Sequence, residues 1–169
     1  MPELPDIWRK ELWHPMVVHF PIALLLLGWL FRTLSVFISS TEYRPLLRKS
    51  SRLLLYPGVV AAWVAVLTGS IADAEVVRHI CDPTVLESHE NIGYATAALF
   101  SAALLADLLV VLLPSVSRKV KKSITEWLII LIMAVGSAYL IYGAHLGASL
   151  VYQQGAGVYH PTEDCREFE

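Results

Sequence analysis

Histidines stand inside or at the mouths of the strongly apolar stretches of this chain. His14 and His19 open the first stretch, His89 begins the third and His145 lies within the fourth. An ionisable side chain at membrane depth is unfavourable unless it is paired or binds something. Because a neutral imidazole binds a metal ion through one ring nitrogen while the other donates a hydrogen bond, these residues are candidate metal ligands.

The predicted depths of these histidines indicate which of them could act together. At about 1.5 Å per residue, His19 lies about 7 Å deeper than His14, and His145 lies about 10 Å inside the outer end of its span. His19 and His145 therefore share a depth on different helices, with small residues one turn away. Two facing imidazoles with small neighbours are what a b-type haem between helices requires. We predict His19 and His145 as axial ligands, His89 as the substitute for either, and His14 with His89 as the next pair.

Two other interpretations of the histidines stay open. Each imidazole can instead bond a backbone carbonyl or a neighbouring side chain. Alternatively, nitrogen and oxygen ligands at the outer side could bind zinc or copper. The residues for such a site are Asp73, Glu75, His79, Glu90 and His14. The sequence contains no HExxH or HxxxH spacing, no CxxCH for covalent haem attachment, no GxSxG and no P-loop.

Apolar segments of membrane-spanning length must position these residues. Hydrophobic residues make up 56% of the 169 residues and charged residues 17%, with a mean hydropathy of +0.56. Soluble domains carry about 25% charged residues. Hydropathy predicts helical spans at residues 15–38, 53–75, 91–113 and 127–152, each long enough to cross about 30 Å of hydrocarbon. The short connections predict one domain over residues 1–169, an all-α, antiparallel, up-down-up-down bundle of four transmembrane helices.

Stripes of small residues predict close helix packing in this bundle. The second span carries such a stripe, formed by Gly58, Ala62, Ala65, Gly69 and Ala72. The fourth span contains Gly143 and Gly147 in a small-xxx-small pattern. Small side chains at these spacings let transmembrane helices approach each other closely.

The loop charges predict the orientation of the spans. Loops 39–52 and 115–125 hold four lysines or arginines each, whereas the lead 1–13, the loop 76–90 and the tail 153–169 hold four together. By the positive-inside rule the two basic loops are cytoplasmic, and both termini lie outside the bacterial inner membrane. A net charge of −2 without a basic stripe argues against nucleic-acid binding.

Two further residue pairs carry predictions. Arg32 and Asp107 each lie about two turns from the inner end of a span, where an unpaired charge is unfavourable. We expect a structural ion pair or snorkelling there, with a proton path as the alternative. Cys81 and Cys165 are the only cysteines, and both map to the outer, oxidising side. We predict a disulfide between them, with a thiol metal site as the alternative.

Two motifs resemble a known family. Residues 14–23 read His-Pro-Met-Val-Val-His-Phe-Pro-Ile-Ala, and residues 150–158 read Leu-Val-Tyr-Gln-Gln-Gly-Ala-Gly-Val. Together with His89 at the head of the third span, they resemble the bacterial membrane family catalogued as domain of unknown function 2231, over about Trp13 to Val158. The resemblance implies four transmembrane helices. It also implies a link to respiratory electron transfer, because similar domains occur joined to c-type cytochrome or iron–sulfur modules.

The histidines, the topology and the resemblance lead to one functional hypothesis. We expect an integral membrane b-type cytochrome or haem-bearing subunit that passes electrons between the quinone pool and a periplasmic redox partner such as a cytochrome. One alternative is a non-redox membrane scaffold subunit of a larger complex. The other is a membrane protein that binds metal on its periplasmic side. No catalytic residue is predicted.

Overall fold

Four long helices account for the four apolar segments. The computed structural model describes residues 8–112 and 122–158, the side chains of residues 122 and 123 excepted. The helices are α1 (Lys10–Phe37), α2 (Tyr43–Val76), α3 (Pro83–Leu112) and α4 (Lys122–Gln154). Each of them is long and apolar enough to cross a membrane, and the described residues contain no β-strand. The predicted all-α four-helix class is confirmed.

Neighbours along the chain are also neighbours in the bundle. α1 packs on α2, α2 on α3 and α3 on α4, and α4 closes back on α1. The contact between α1 and α2 is the most extensive and that between α4 and α1 the least. The diagonal partners are therefore α1 with α3 and α2 with α4. Short connections between long helices produce this arrangement because each helix can only turn back along the preceding one.

The helices extend beyond the boundaries predicted from hydropathy. The predicted loop 39–52 is wrong over most of its length, because α2 begins at Tyr43. Arginine and lysine are good helix formers, and Arg48 and Arg52 reach carboxylates on the other helices. α3 likewise begins at Pro83 instead of residue 91. Hydropathy detects only the part of a helix that lies in hydrocarbon, and it misses the polar turns beyond it.

Local signals set the ends of two of these helices. Asp82 precedes α3, and its Oδ1 accepts hydrogen bonds from the Thr84 hydroxyl and backbone N–H, at 2.6 and 3.0 Å. These bonds lower the pKa of Asp82. Pro83 suits the first helical position, which needs no N–H donor. α4 stops where Gly155 takes a φ of +71°, a conformation that glycine adopts without strain.

The contacts within the α1–α2 hairpin recur in the α3–α4 hairpin. Gly58 of α2 packs on Leu25 of α1, and Gly136 of α4 packs on Phe100 of α3. Corresponding residues are 75 positions apart between α1 and α3 and 78 apart between α2 and α4. The bundle is therefore an internal repeat of two helical hairpins. The repeat is hard to detect in the sequence because corresponding residues, such as Leu25 and Phe100, often differ in type.

Gly136→Ala should destabilise the bundle. A Cβ at position 136 would lie 2.9 Å from Cε2 of Phe100, and that ring is fully buried and cannot withdraw. Overpacking of this kind lowers the free energy of unfolding by about 1–3 kcal/mol, which unfolding titrations in detergent micelles can measure. Gly93→Ala is the matched control, because no atom beyond the adjoining part of its own helix lies within 4 Å of a Cβ there. Equal losses in the two variants would contradict the packing.

Candidate functional site

The first imidazole of the candidate site belongs to His14, near the start of α1. Its Nδ1 lies 2.8 Å from the carbonyl oxygen of Ala65 on α2. A carbonyl only accepts, so Nδ1 is the donor, and in the neutral ring the lone pair is on Nε2. The ring packs on Gly69, where a Cβ would come within 3.2 Å of its Cε1 and Nδ1. Glycine at position 69 therefore leaves the space that the imidazole fills.

The second imidazole, that of His89, is held in the same way by the other hairpin. Its Nδ1 lies 2.9 Å from the carbonyl oxygen of Gly143 on α4. The ring packs on Gly147, where a Cβ would come within 3.1 Å of its Cε1. The predicted small-xxx-small pair of α4 thus accepts the hydrogen bond with one glycine and makes room for the ring with the other.

The two rings meet inside the bundle and form what we call the histidine pair, His14 and His89. Their centroids are 5.9 Å apart, and their planes are inclined at 88°. Both side chains are half-buried. Because α1 and α3 are diagonal in the bundle, the pair joins the two hairpins across its axis. The internal repeat relates the two imidazoles, their carbonyl acceptors and their glycines, so one set of local contacts builds the site twice.

The bonding of the histidine pair is compatible with two of the interpretations from the sequence. The first is the interpretation that each imidazole bonds a backbone carbonyl. The same bond is how proteins hold an imidazole that ligates a metal, because it fixes the tautomer and aims the other nitrogen at the ion. Among the described residues, no protein group is hydrogen-bonded to Nε2 of either ring. Nε2 of each ring is therefore the atom left to bind a ligand.

His19 and His145, the pair predicted as ligands, are not part of this site. Both side chains are exposed on the outer surface of the bundle. His19 is turned about 140° from His14 around α1, at about 100° per residue. His145 lies midway between Gly143 and Gly147, which face His89, so it points to the opposite side of α4. Their common depth follows from the sequence, but their directions lead away from each other's helices and from the bundle interior.

The other predicted outer residues do not converge. His79 and Glu75 are exposed, and Glu90 has only a long contact of 3.5 Å with Ser70. Within residues 8–112 and 122–158, no group of three or more His, Cys, Asp or Glu side chains could hold a metal ion. Cys81 is exposed between α2 and α3. Its predicted disulfide partner Cys165 lies outside the described residues, as does His160, so that pairing stays a prediction.

A buried ionic network lies at the opposite end of the bundle. Arg32 is fully buried, with Nη1 2.7 Å from Oδ1 of Asp107 and Nε 2.6 Å from Oε1 of Glu126. Arg52 Nε lies 2.9 Å from Oδ2 of Asp107, and Arg48 Nη2 lies 3.2 Å from Oε2 of Glu126. We call these five residues the inner network. Arg32 and Asp107 thus form a direct ion pair inside a larger cluster.

Three members of the inner network are not predicted from the sequence. Hydropathy predicts a loop at Arg48 and Arg52, and Glu126 lies just before the predicted start of the fourth span. Arg32 needs a counterion, and Glu126 is a candidate on sequence grounds because both residues lie near the inner ends of adjacent helices. All the arginines of the network belong to the first hairpin and both carboxylates to the second. The network therefore ties the two hairpins together about 27 Å along α1 from His14.

The fold and its two polar centres define the class of the protein as an all-α, four-helix membrane protein. Residues 12–160 match the family described as predicted membrane protein, domain of unknown function 2231 (DUF2231), and the chain belongs to this family. The resemblance seen in the sequence motifs is therefore confirmed. Neither a curated protein nor a solved structure matches the chain.

Proposed function

We propose that the protein is an integral membrane b-type cytochrome or haem-bearing subunit, with His14 and His89 as the axial ligands of the haem iron. It would pass electrons between the quinone pool and a periplasmic redox partner. The observation that carries this proposal is the histidine pair, with 5.9 Å between ring centroids and the Nδ1 of each ring bound to a carbonyl.

The spacing of the pair fits two ligands on one metal ion. Two imidazoles that bind an ion from opposite sides, at about 2 Å per bond, have ring centres about 6 Å apart. The observed separation is 5.9 Å. The two histidines that would hold the group come from separate hairpins, so each would reach it from its own side. The perpendicular planes are compatible with this arrangement, because each ring can have any orientation about its own bond to the metal.

The number of ligands favours haem over a bare metal ion. Zinc takes four protein ligands in a structural site and three in a catalytic one. The described residues bring only two imidazoles together and no cluster of three metal-binding side chains. Iron in a porphyrin already has its ring nitrogens and needs only axial ligands from the protein. A donor set of two histidines is therefore complete for haem and incomplete for zinc.

The chain's own groups would orient the ligands and shield them. Haem, when bound, supplies one-electron redox chemistry. The carbonyls of Ala65 and Gly143 keep each Nδ1 protonated and so leave the lone pair on Nε2 for a ligand. Gly69 and Gly147 leave the space that the two rings occupy. The half-buried position near the starts of α1 and α3 keeps the site within reach of a partner at the membrane surface.

An absorbance spectrum of the purified full chain tests the proposal. The protein, expressed with haem available and purified in detergent, should show a Soret band and an α band that sharpens on reduction. A colourless protein that contains no iron and takes up no added haemin would contradict it. That result would favour the non-redox scaffold subunit, whereas bound zinc or copper without haem would favour the metal-binding alternative.

We also propose that the protein lies in the bacterial inner membrane with both termini and the histidine pair on the periplasmic side. The support is the excess of lysine and arginine in residues 39–52 and 115–125, at and beside the two connections of the opposite end. Reporter fusions in the α1–α2 connection after Ser40 and at residue 121 should read cytoplasmic, and a fusion after residue 169 should read external. An external signal at residue 40 would place the histidine pair on the cytoplasmic side instead.

A further inference from the structure

The inner network contains more positive than negative charge. It has three guanidinium groups and two carboxylates. Asp107 accepts hydrogen bonds from Arg32, Arg52 and Tyr56. Glu126 accepts two from Arg32 and pairs with Arg48. Each carboxylate is thus contacted by three donor atoms, and one positive charge is left without a counterion among the described residues.

Arg48 also has a donor without an acceptor. Its Nε is buried and has no hydrogen-bond partner among the described residues, although 27% of its side chain is exposed. Nε1 of Trp29 and Oγ1 of Thr33 are buried and without a partner in the same way. Trp29 and Thr33 share one face of α1, at a spacing of one helical turn. All these residues lie at the inner end, within about 8 Å along the helix axes of the Ser51–Gly28 hydrogen bond that links α1 and α2.

The chemistry of these groups selects an anion with oxygen acceptors. Arginine can only donate hydrogen bonds, so the group that satisfies Arg48 must accept. The excess positive charge favours a negatively charged acceptor. Phosphate meets both requirements, and the guanidinium fork pairs with two of its oxygens at once.

Exposed aromatic rings beside the network indicate that the phosphate belongs to a lipid. Phe37 of α1 and Trp127 of α4 contact each other edge to face, with centroids 6.1 Å apart. Phe37 is 68% exposed and Trp127 is 46% exposed. Tryptophan at the end of a membrane helix sits at the headgroup level, where its ring contacts lipid. Phe37 is one turn beyond Thr33, and Trp127 follows Glu126, so an apolar surface adjoins the cationic one.

We infer that the inner end of the bundle binds the phosphate group of an anionic phospholipid, from the leaflet on the side of the α1–α2 connection. Arg48, whose side chain is 27% exposed, is the main contact, and the acyl chains lie along Phe37 and Trp127. The bound phosphate balances the excess charge of the inner network. This site is independent of the histidine pair and of its ligand.

Native mass spectrometry and thermal unfolding of the full chain test the site. Phosphatidylglycerol should be retained in preference to phosphatidylcholine and should raise the unfolding temperature in detergent. Arg48→Gln should bind phosphatidylglycerol about tenfold more weakly, the effect of losing one hydrogen bond to a charged group. Lys49→Gln is the matched control, because it makes the same charge change at the next, exposed position. Its retention of phosphatidylglycerol should equal that of the wild type.

Arg48→Lys shows whether the loss of binding in Arg48→Gln comes only from a folding defect. It keeps the charge that pairs with Glu126 but removes the guanidinium fork, so it should bind with intermediate affinity. Equal retention of phosphatidylglycerol by the wild type and Arg48→Gln would overturn the proposal. Equal losses in Arg48→Gln and Lys49→Gln would also overturn it, since they indicate only diffuse attraction between charges. If inorganic phosphate alone stabilises the protein as well as the lipid does, the proposal that the phosphate belongs to a lipid is overturned.

Discussion

Asp107→Ala should lower the free energy of unfolding by about 3–5 kcal/mol, the effect of removing one partner from a buried ion pair. The side chains of Asp107 and Arg32 are both fully buried, at 2.7 Å. Without the carboxylate, the Arg32 guanidinium keeps Glu126 alone as a counterion, and Arg52 and Tyr56 lose their described acceptor. The buried positive charge is then under-compensated, and the link between the hairpins is weakened at the inner end.

Unfolding titrations in mixed micelles measure this effect. Two further variants show whether the loss comes from the buried charge of Asp107. Asp107→Asn keeps the volume of the side chain and removes its charge, so it should lose most of the same stability. Glu87→Ala removes an exposed carboxylate from the same helix and should change the free energy of unfolding by no more than about 0.5 kcal/mol. If Asp107→Ala and Glu87→Ala are equally stable, the inner network does not hold the hairpins together.

If the histidine pair holds haem as proposed, His14→Ala and His89→Ala should each abolish low-spin haem in the purified protein. Low-spin iron with two histidine ligands needs an imidazole on each face, and loss of either leaves one axial position open. Of the imidazoles that the structure describes, only these two lie close together, with 5.9 Å between their ring centroids. The reduced-minus-oxidised spectrum should therefore lose its sharp α band in both variants, while wild-type folding is checked by helical circular dichroism.

His19→Ala and His145→Ala are the matched controls for the ligand assignment. They remove the same group at similar depth from α1 and α4, and both side chains are exposed. Each variant should keep the wild-type spectrum. If these variants lose low-spin haem while His14→Ala and His89→Ala retain it, the ligands are the pair predicted from depth alone. Such a site would have to form between two copies of the chain, because the two side chains point outward.

The depth of the polar residues could be predicted from the sequence, but the direction of each side chain could not. His19 and His145 were paired because they lie at similar distances from the outer surface, and that estimate needs only the rise per residue. Direction depends on how each helix is rotated against its neighbours, and a shift of one position turns a side chain by about 100°. The helical phase did contain a usable signal. Gly143 and Gly147 mark the packed face of α4, and His145 lies opposite to it.

For the ionic network, too, part of the arrangement can be predicted from the sequence and part cannot. The sequence indicates that Arg32 and Asp107 require partners, because a lone charge in a span is unfavourable. It does not indicate that Glu126 is the second acceptor or that Arg52 is a second donor to Asp107, since both lie at boundaries where hydropathy predicts loop. Hydropathy measures the apolar length of a span, and Arg48, Arg52 and Glu126 fall outside that length although their side chains join the ionic network between the helices.

By itself, the sequence determines that the chain has four apolar helices, that its histidines gather toward one end and that its family is DUF2231. These properties depend on composition and on distance along the chain. Only the tertiary structure decides that His14 meets His89, that the arginines of one hairpin bind the carboxylates of the other, and that the two hairpins repeat the same contacts. Those properties depend on the rotation and mutual packing of all four helices, which many distant contacts fix together and no local pattern records.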